Sequence, residues 1–238
     1  LDPEIKEKLE ADPTMKEMGE ALDKMKSNSL PGVDGFNAGW LKVMWLYIKK
    51  PLHNAVMRAR ETGELSITLR RALISLLPKG DKDRTKIGNW RPISLLSVFY
   101  KILSSVFARR IKSVLPLIID ISQKAYVPGR NISDAIMNVK NIMEYTEQKN
   151  IAATILLVDF QKAFDTVQHG AVMEALETMG FGPKIQQWIK LLLTNRLAEV
   201  VLAGHSTNRF TLERGVPQGD PISAYLFIMV IEFLSRKI

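Results

Sequence analysis

The segment Thr154-Ile-Leu-Leu-Val-Asp159-Phe-Gln-Lys-Ala-Phe164-Asp165 constrains this chain more than any other. Its run of β-favouring apolar residues predicts a buried strand, and that strand ends abruptly in an acid. A carboxylate is costly inside a core unless it is paired or holds a metal. An acid at the exit of such a strand is therefore either a ligand facing a cleft or the cap of the helix that follows. The strand alone does not choose between them.

Composition narrows the setting. A chain of 238 residues with 46% hydrophobic content supports one large globular domain or two small ones. No run of eighteen apolar residues occurs, so no membrane-spanning helix and no membrane partner are expected. The start, Leu1-Asp2-Pro3-Glu4, has no initiator Met and no signal-peptide pattern, which reads as a piece of a longer polypeptide. The absence of cysteine excludes disulfides and thiolate metal sites within these residues, and His53, His169 and His205 lack zinc-ligand spacing. Between Arg70 and Arg130 there are 13 Lys/Arg against 3 Asp/Glu, whereas the remainder holds 20 and 22. Excess positive charge concentrated in one quarter of the chain suits a polyanion, because neutralising phosphates releases condensed counterions. Nucleic acid is the first candidate and an anionic membrane surface the second; a solvated basic face is the bland alternative.

Periodicity predicts a helix through Met15, Met18, Leu22 and Met25, then one from Leu41 to Val56 kinked or restarted at Pro51. A strand over Arg71–Leu77 ends at Pro78, and the polar stretch Lys79–Asn89 reads as a hairpin tip. A long helix from Val98 to Val114, ending near Pro116, exposes Lys101, Arg109 and Lys112. Another follows the turn at Val127-Pro-Gly129, through Ile132, Ile136, Val139 and Met143, capped by Asn131 or Ser133. Beyond the strand come helices around Val172–Met179 and Ile185–Leu193. A hairpin pairing residues 198–203 with 209–214 precedes a terminal helix starting near Pro221. The fold class is α+β, with long helices on a small antiparallel sheet.

Four segments fall in a telling order. They are Leu77-Pro-Lys79-Gly through Asn89-Trp-Arg91-Pro-Ile-Ser94, Gln123-Lys-Ala-Tyr126-Val-Pro-Gly129-Arg130, the strand ending at Asp159, and Arg214-Gly-Val-Pro-Gln218-Gly-Asp220-Pro-Ile-Ser223. In order and spacing they resemble the polymerase domain of reverse transcriptases, above all the LINE-type (non-LTR) branch. Pro31-Gly32-x-Asp34-Gly35 looks like the segment that branch carries ahead of the common core. The resemblance covers nearly the whole chain. It implies right-hand polymerase fingers with an incomplete palm: an N-terminal helical extension at 1–30, fingers at 31–150 and partial palm at 151–238.

The resemblance also implies roles. Nucleotide addition is an in-line phosphoryl transfer in which two Mg²⁺ ions (or Mn²⁺) stabilise attacking and leaving oxygens. Asp159 and the backbone carbonyl of Phe160 would be metal ligands. Lys79 and Arg91 would hold the triphosphate, and Phe160, Phe164 and Gln218 would line the nucleotide pocket, the Phe164 ring blocking a ribose 2′-hydroxyl. Gly32, Asp34, Gly35, Gly129 and Arg130 would meet template or primer. The implied partners are an RNA template, a DNA or RNA primer and deoxynucleoside triphosphates. The implied location is intracellular, as a ribonucleoprotein in cytoplasm and nucleus. Asp165 and Asp220 read as structural acids, and Tyr100, Trp90 and Tyr126 as core aromatics by default.

Departures accompany the match. Ala125-Tyr126 stands where Gly-Phe is usual, and Ala224 where Pro is usual. No aromatic-x-Asp-Asp motif, which supplies the remaining metal carboxylates, occurs in the sequence. Neither the thumb nor an endonuclease is recognisable. The 238 residues alone are therefore expected to be inactive. A non-catalytic nucleic-acid-binding module and a group II intron-type maturase are the competing readings.

Overall fold

Arg71–Pro78 (β1) and Trp90–Leu96 (β2) form an antiparallel hairpin in which Pro78 faces Trp90 and Ala72 faces Leu96. Between them the chain turns through a short 3-10 segment, Ile87–Asn89, where Lys79 N donates to Asn89 O at 2.8 Å. In this computed structural model, which describes residues 2–202 and 204–237, β1 also runs parallel to Arg196–Leu202 (β3). His205–Ser206 (β4) and Phe210–Leu212 (β5) then pair antiparallel with β3. Antiparallel pairing follows β3 as expected, but His205–Ser206, expected in the loop, is strand, and Phe210–Leu212 pairs with Arg196–Ala198; Leu1, Ala203 and Ile238 lie outside the described residues. The sheet order β2-β1-β3-β4 puts β1 and β3 side by side, joining segments over a hundred residues apart.

Ten helices surround this sheet among the described residues. Pro3–Glu10 (α1) was not foreseen as a separate helix, although Asp2 caps it and Pro3 opens it, both ordinary start signals. Met15–Asp23 (α2) carries a reciprocal capping box between Thr14 and Glu17. Ala38–Thr62 (α3) continues through Pro51 without the expected restart. Ile67–Arg70 (α4) leads into β1. Val98–Ile118 (α5) likewise runs two residues past Pro116. Ile132–Gln148 (α6) is capped by Asn131, whose side chain accepts from Ser133 N at 3.0 Å. Ala163–Thr166 (α7), His169–Thr178 (α8), Pro183–Leu193 (α9) and Ser223–Ser235 (α10) complete the set.

The core lies around α5, which buries Ile102, Phe107, Ile111 and Leu115. Met18 and Leu22 of α2, Trp188 and Leu192 of α9, and Leu226 and Met229 of α10 belong to the same apolar cluster. It draws on all three segments of the expected domain division. Burial of each large side chain contributes about 1.5–3 kcal/mol, so α2 is anchored chiefly by its apolar stripe. Charge adds to that anchor. Arg110 reaches back from α5 to Glu17 at 2.9 Å and to carbonyl groups at the end of α1, while Arg109 pairs with Glu20 at 3.0 Å. Arg70 and Arg71 pair with Glu64 and Glu199. Part of the basic surplus between residues 70 and 130 is thus neutralised by acids from elsewhere in the chain.

The main correction concerns residues 151–160. They form no strand, and no described strand pairs with them. Leu157 is 90% exposed and Leu156 83%. A β-favouring run becomes a strand only when a neighbour completes its ladder and covers a face, and without one its backbone groups turn to water. Helix α6 shares this condition: it buries no residue, and Ile132, Ile136, Val139 and Met143 on its apolar stripe are exposed.

Candidate functional site

The loop 214–220 is the junction that organises the site. Gly215 N donates to Val167 O at 2.7 Å and Val216 N to Phe164 O at 2.8 Å, stitching the loop to α7 and the residue beyond it. Gly215 has φ +87°, and a Cβ there would stand 2.9 Å from Asp165 O, so a side chain would break the stitch. On the other side Ser94 N, in β2, donates to Gln218 O at 3.1 Å. His169 Nε2 lies 3.0 Å from Gly215 O and holds the start of the loop against α8. Phe164, Asp165, Ser94 and Gln218 are thereby gathered although they come from three distant stretches of sequence.

Ser94, Asp165 and Gln218 border a pocket of about 200 Å³ that Ile74, Pro92 and Arg214 among others also line. Gln218 Nε2 approaches Asp165 Oδ1 at 3.5 Å, the outer limit of a hydrogen bond. Partial burial drives the Asp165 carboxyl above its ordinary pKa, and Lys162, Gln218 and Lys79 only partly counter it. The Phe164 ring is half-buried and stacks on Phe227 of α10, with centroids 5.1 Å apart. Phe160 meets the same Phe227 edge-on at 6.5 Å. Asp159 lies just before them on the exposed 151–160 segment, with no ion pair or hydrogen bond from its side chain to any described residue.

The remaining predicted residues divide clearly. Arg91 is exposed on β2, with no side-chain partner among the described residues. It pairs with Leu77, while Pro92 and Ser94 line the pocket from the neighbouring positions of the same strand. Lys79 stands just beyond β1 at the same end of the hairpin, its Nζ donating to Gly88 O at 2.8 Å. The Arg130 guanidinium donates to the carbonyls of Ile119 and Gln123 at 2.8 Å each, and to Asp120 O. It closes the C-terminal end of α5. Gly129 is in the exposed turn just before it.

The Gly32–Gly35 segment also meets the protein itself. A Cβ on Gly32 would fall 2.4 Å from Ser97 N, so the backbone there lies flat against the β2–α5 junction. Asp34 accepts from the Ser97 hydroxyl and from Phe36 N. Gly35 is exposed, with Gly35 N donating to Gly32 O at 3.1 Å to close the turn.

Sequence reasoning missed the buried polar centre behind the loop. Asp220 accepts from Tyr100 OH at 2.7 Å and from the Ser104 hydroxyl, both on α5. Arg196, 2% exposed at the start of β3, donates to Tyr100 OH at 2.6 Å and lies 3.7 Å from Asp220 Oδ2. Its guanidinium also sits over the Tyr100 ring at 4.6 Å. Complete burial pushes the Tyr100 hydroxyl well above its ordinary pKa, keeping it a donor at any ordinary pH. No local signal marks Arg196, because its partners are remote in sequence.

Comparison with known proteins places these observations. The family model described as reverse transcriptase (RNA-dependent DNA polymerase) matches residues 77–238. The chain is 35% identical, over 95% of its length, to the "Transposon TX1 uncharacterized 149 kDa protein" of Xenopus laevis, covering 17% of that protein. It is 31% identical over 67% of its length to the "Retrovirus-related Pol polyprotein from type-1 retrotransposable element R2" of Popillia japonica, covering 22% of it. It is 26% identical over 92% of its length to the "RNA-directed DNA polymerase from mobile element jockey" of Drosophila funebris, covering 24% of that protein. The chain thus spans roughly a fifth of the length of the curated relatives it matches.

Proposed function

Because this chain belongs to the reverse transcriptase (RNA-dependent DNA polymerase) family, with non-LTR retrotransposon proteins among its relatives, we propose that it contributes the nucleotide-selecting half of a polymerase centre. The protein containing it would add deoxynucleotides to a primer on an RNA template. The observation that supports this reading is the 214–220 loop, whose backbone bonds to Phe164 O and Ser94 N bring Phe164, Ser94 and Gln218 together beside the pocket that Ser94 and Gln218 line. Phe164, braced from behind by Phe227, presents a fixed ring that would exclude a 2′-hydroxyl. The Gln218 amide offers both a donor and an acceptor to a sugar or base edge. Lys79 and Arg91, at the tip of the β1–β2 hairpin, would close over the triphosphate, the guanidinium able to bind phosphate bidentately.

A divalent metal ion is the cofactor this reading requires, Mg²⁺ first and Mn²⁺ second. The residues present fit in kind: the Asp159 carboxylate, without a partner among the described residues, and the adjacent Phe160 carbonyl are hard oxygen donors. Mg²⁺ is commonly held by one or two carboxylates together with substrate phosphates. When bound, such ions stabilise the attacking and leaving oxygens of the transfer. The chain's own part is to orient the nucleotide against Phe164 and Gln218 and to offer Asp159 at its edge.

The test is primer extension on an RNA template by the full-length protein that carries this chain, supplied with the four deoxynucleotides and Mg²⁺. Extended DNA, with ribonucleotides refused until Phe164 is replaced by Ala, is the expected result. RNA binding without any extension would overturn the reading in favour of a non-catalytic binding module.

A further inference from the structure

The buried centre behind the pocket has a consequence for selection that the pocket residues alone do not carry. Asp220 is 7% exposed and Arg196 2%, so two charges have been taken out of water. Such pairs seldom add stability over a well-packed apolar substitute, because desolvation offsets their attraction. What they do supply is a single permitted geometry. Here that geometry is passed directly to Gln218. Asp220 N donates to Pro217 O at 3.2 Å, closing a tight turn over Gln218 and Gly219. Gln218 O is fixed from the other side by Ser94 N, and a Cβ on Gly219 would come within 3.3 Å of Ser94 O. Gln218 is therefore held between β2, the strand that also bears Arg91, and the Asp220 carboxylate on the α5 side.

Resting on the polymerase reading above, we propose that Asp220 is a positioning residue for nucleotide selection, locked by Tyr100, Ser104 and Arg196 so that Gln218 stays in register with the Arg91 strand. Two hydroxyl donors from successive turns of α5 fix both carboxylate oxygens, one through Tyr100 and the other through Ser104. Arg196 orients the Tyr100 hydroxyl from behind, through a hydrogen bond and its stacking over the ring. Asp220 touches no substrate and acts only through the loop. Loosening its hydroxyl lock would let Gln218 shift by fractions of an ångström, enough to weaken nucleotide binding while the Asp220–Arg196 pair keeps the rest of the fold intact.

The experiment compares Tyr100→Phe, Ser104→Ala and their double variant with wild type in the full-length polymerase. These changes remove the donors and keep the Asp220–Arg196 charge balance, so folding survives; Asp220→Ala, which strands Arg196, serves only as the unfolding control. For the double variant we expect KM for deoxynucleotides to rise about tenfold, with kcat and affinity for primer–template within about twofold of wild type. A KM unchanged within about twofold would overturn the proposal, and so would parallel losses in KM, kcat and template affinity, which a general structural defect produces. Amide exchange on the 238-residue chain gives a readout independent of activity. The Ser94 and Asp220 amides, which report the two ends of the Gln218 turn, should exchange faster in the double variant while the α9 amides do not change. Unchanged exchange at both would contradict the proposal by itself. Absence of extension by wild type would instead break the polymerase reading, leaving the exchange result to judge the positioning of the loop.

Discussion

Asp220 and Asp159 stand under opposite physical conditions. Asp220 is buried, with both of its carboxylate oxygens accepting hydroxyl donors from α5. Asp159 stands on an exposed segment with no strand to join and no described partner for its side chain. One aspartate is built into the body of the protein; the other is attached to its edge. On the proposed reading, the residues that would select the nucleotide, Gln218 and Phe164, are the ones this chain fixes by its own packing. The proposed metal-holding edge lies on residues 151–160, which pair with no described strand.

The largest effect that can break this comparison is on stability. Asp220→Ala should lower the unfolding free energy by about 3–5 kcal/mol, because Arg196 would be left buried without its counter-charge. Asp159→Ala should change it by no more than about 0.5 kcal/mol, as expected for an exposed position without partners. Chemical denaturation of the two variants side by side measures both. Equal losses would show that the segment around Asp159 is part of the cooperative core.

A second, smaller effect concerns the N-terminal clamp. Arg110→Ala removes hydrogen bonds to Glu17 and to the carbonyls ending α1, and should cost about 1–3 kcal/mol. Burial raises the Glu17 carboxyl, but the Arg110 and Thr14 hydrogen bonds outweigh it, and its pKa lies below the ordinary value. Its contribution is therefore present above the ordinary carboxylate range and is lost as pH falls through the lowered value. Wild type should lose stability across that acid window more steeply than Glu17→Gln, as followed by melting temperature against pH.

The smallest effect sharpens the pocket itself. Asp165 titrates above the ordinary carboxylate value because burial disfavours its charge. Its favourable contribution is present below the ordinary value and is lost as pH rises through the raised one. Asp165→Asn should thus raise the melting temperature slightly near neutral pH and leave it unchanged in acid. A uniform shift at every pH would point to packing instead of charge.

The same contrast explains what could be read in the sequence. Helices α2, α5, α8 and α9 were legible because a 3.6-residue apolar period needs only a surface to pack on, and the shared core provides one. The β1–β2 hairpin was legible from Pro78 and the polar tip. The strand at 154–159 was not realised, since its apolar pattern states what it would do with a partner and nothing about whether one is present. Motif order singled out Phe164 and Gln218, which the 214–220 loop brings together through the backbone bond from Val216 N to Phe164 O. Arg196 was invisible, because its value lies in contacts with Tyr100 and Asp220, 96 and 24 residues away. Arg130 shows a second limit: a cation in a turn suggests an external anion, and its bonds to backbone carbonyls at a helix end left no mark in the sequence.

The most direct measurement pairs activity with stability for Asp159→Asn in the full-length protein, by primer extension on RNA and by melting temperature. If the pocket selects the nucleotide and Asp159 serves the metal alone, extension should fall by about a thousandfold, the loss of several kcal/mol of transition-state stabilisation. The melting temperature and deoxynucleotide-independent RNA binding should not move. Extension persisting at near wild-type rates, or a melting temperature that falls in step with activity, would contradict the account.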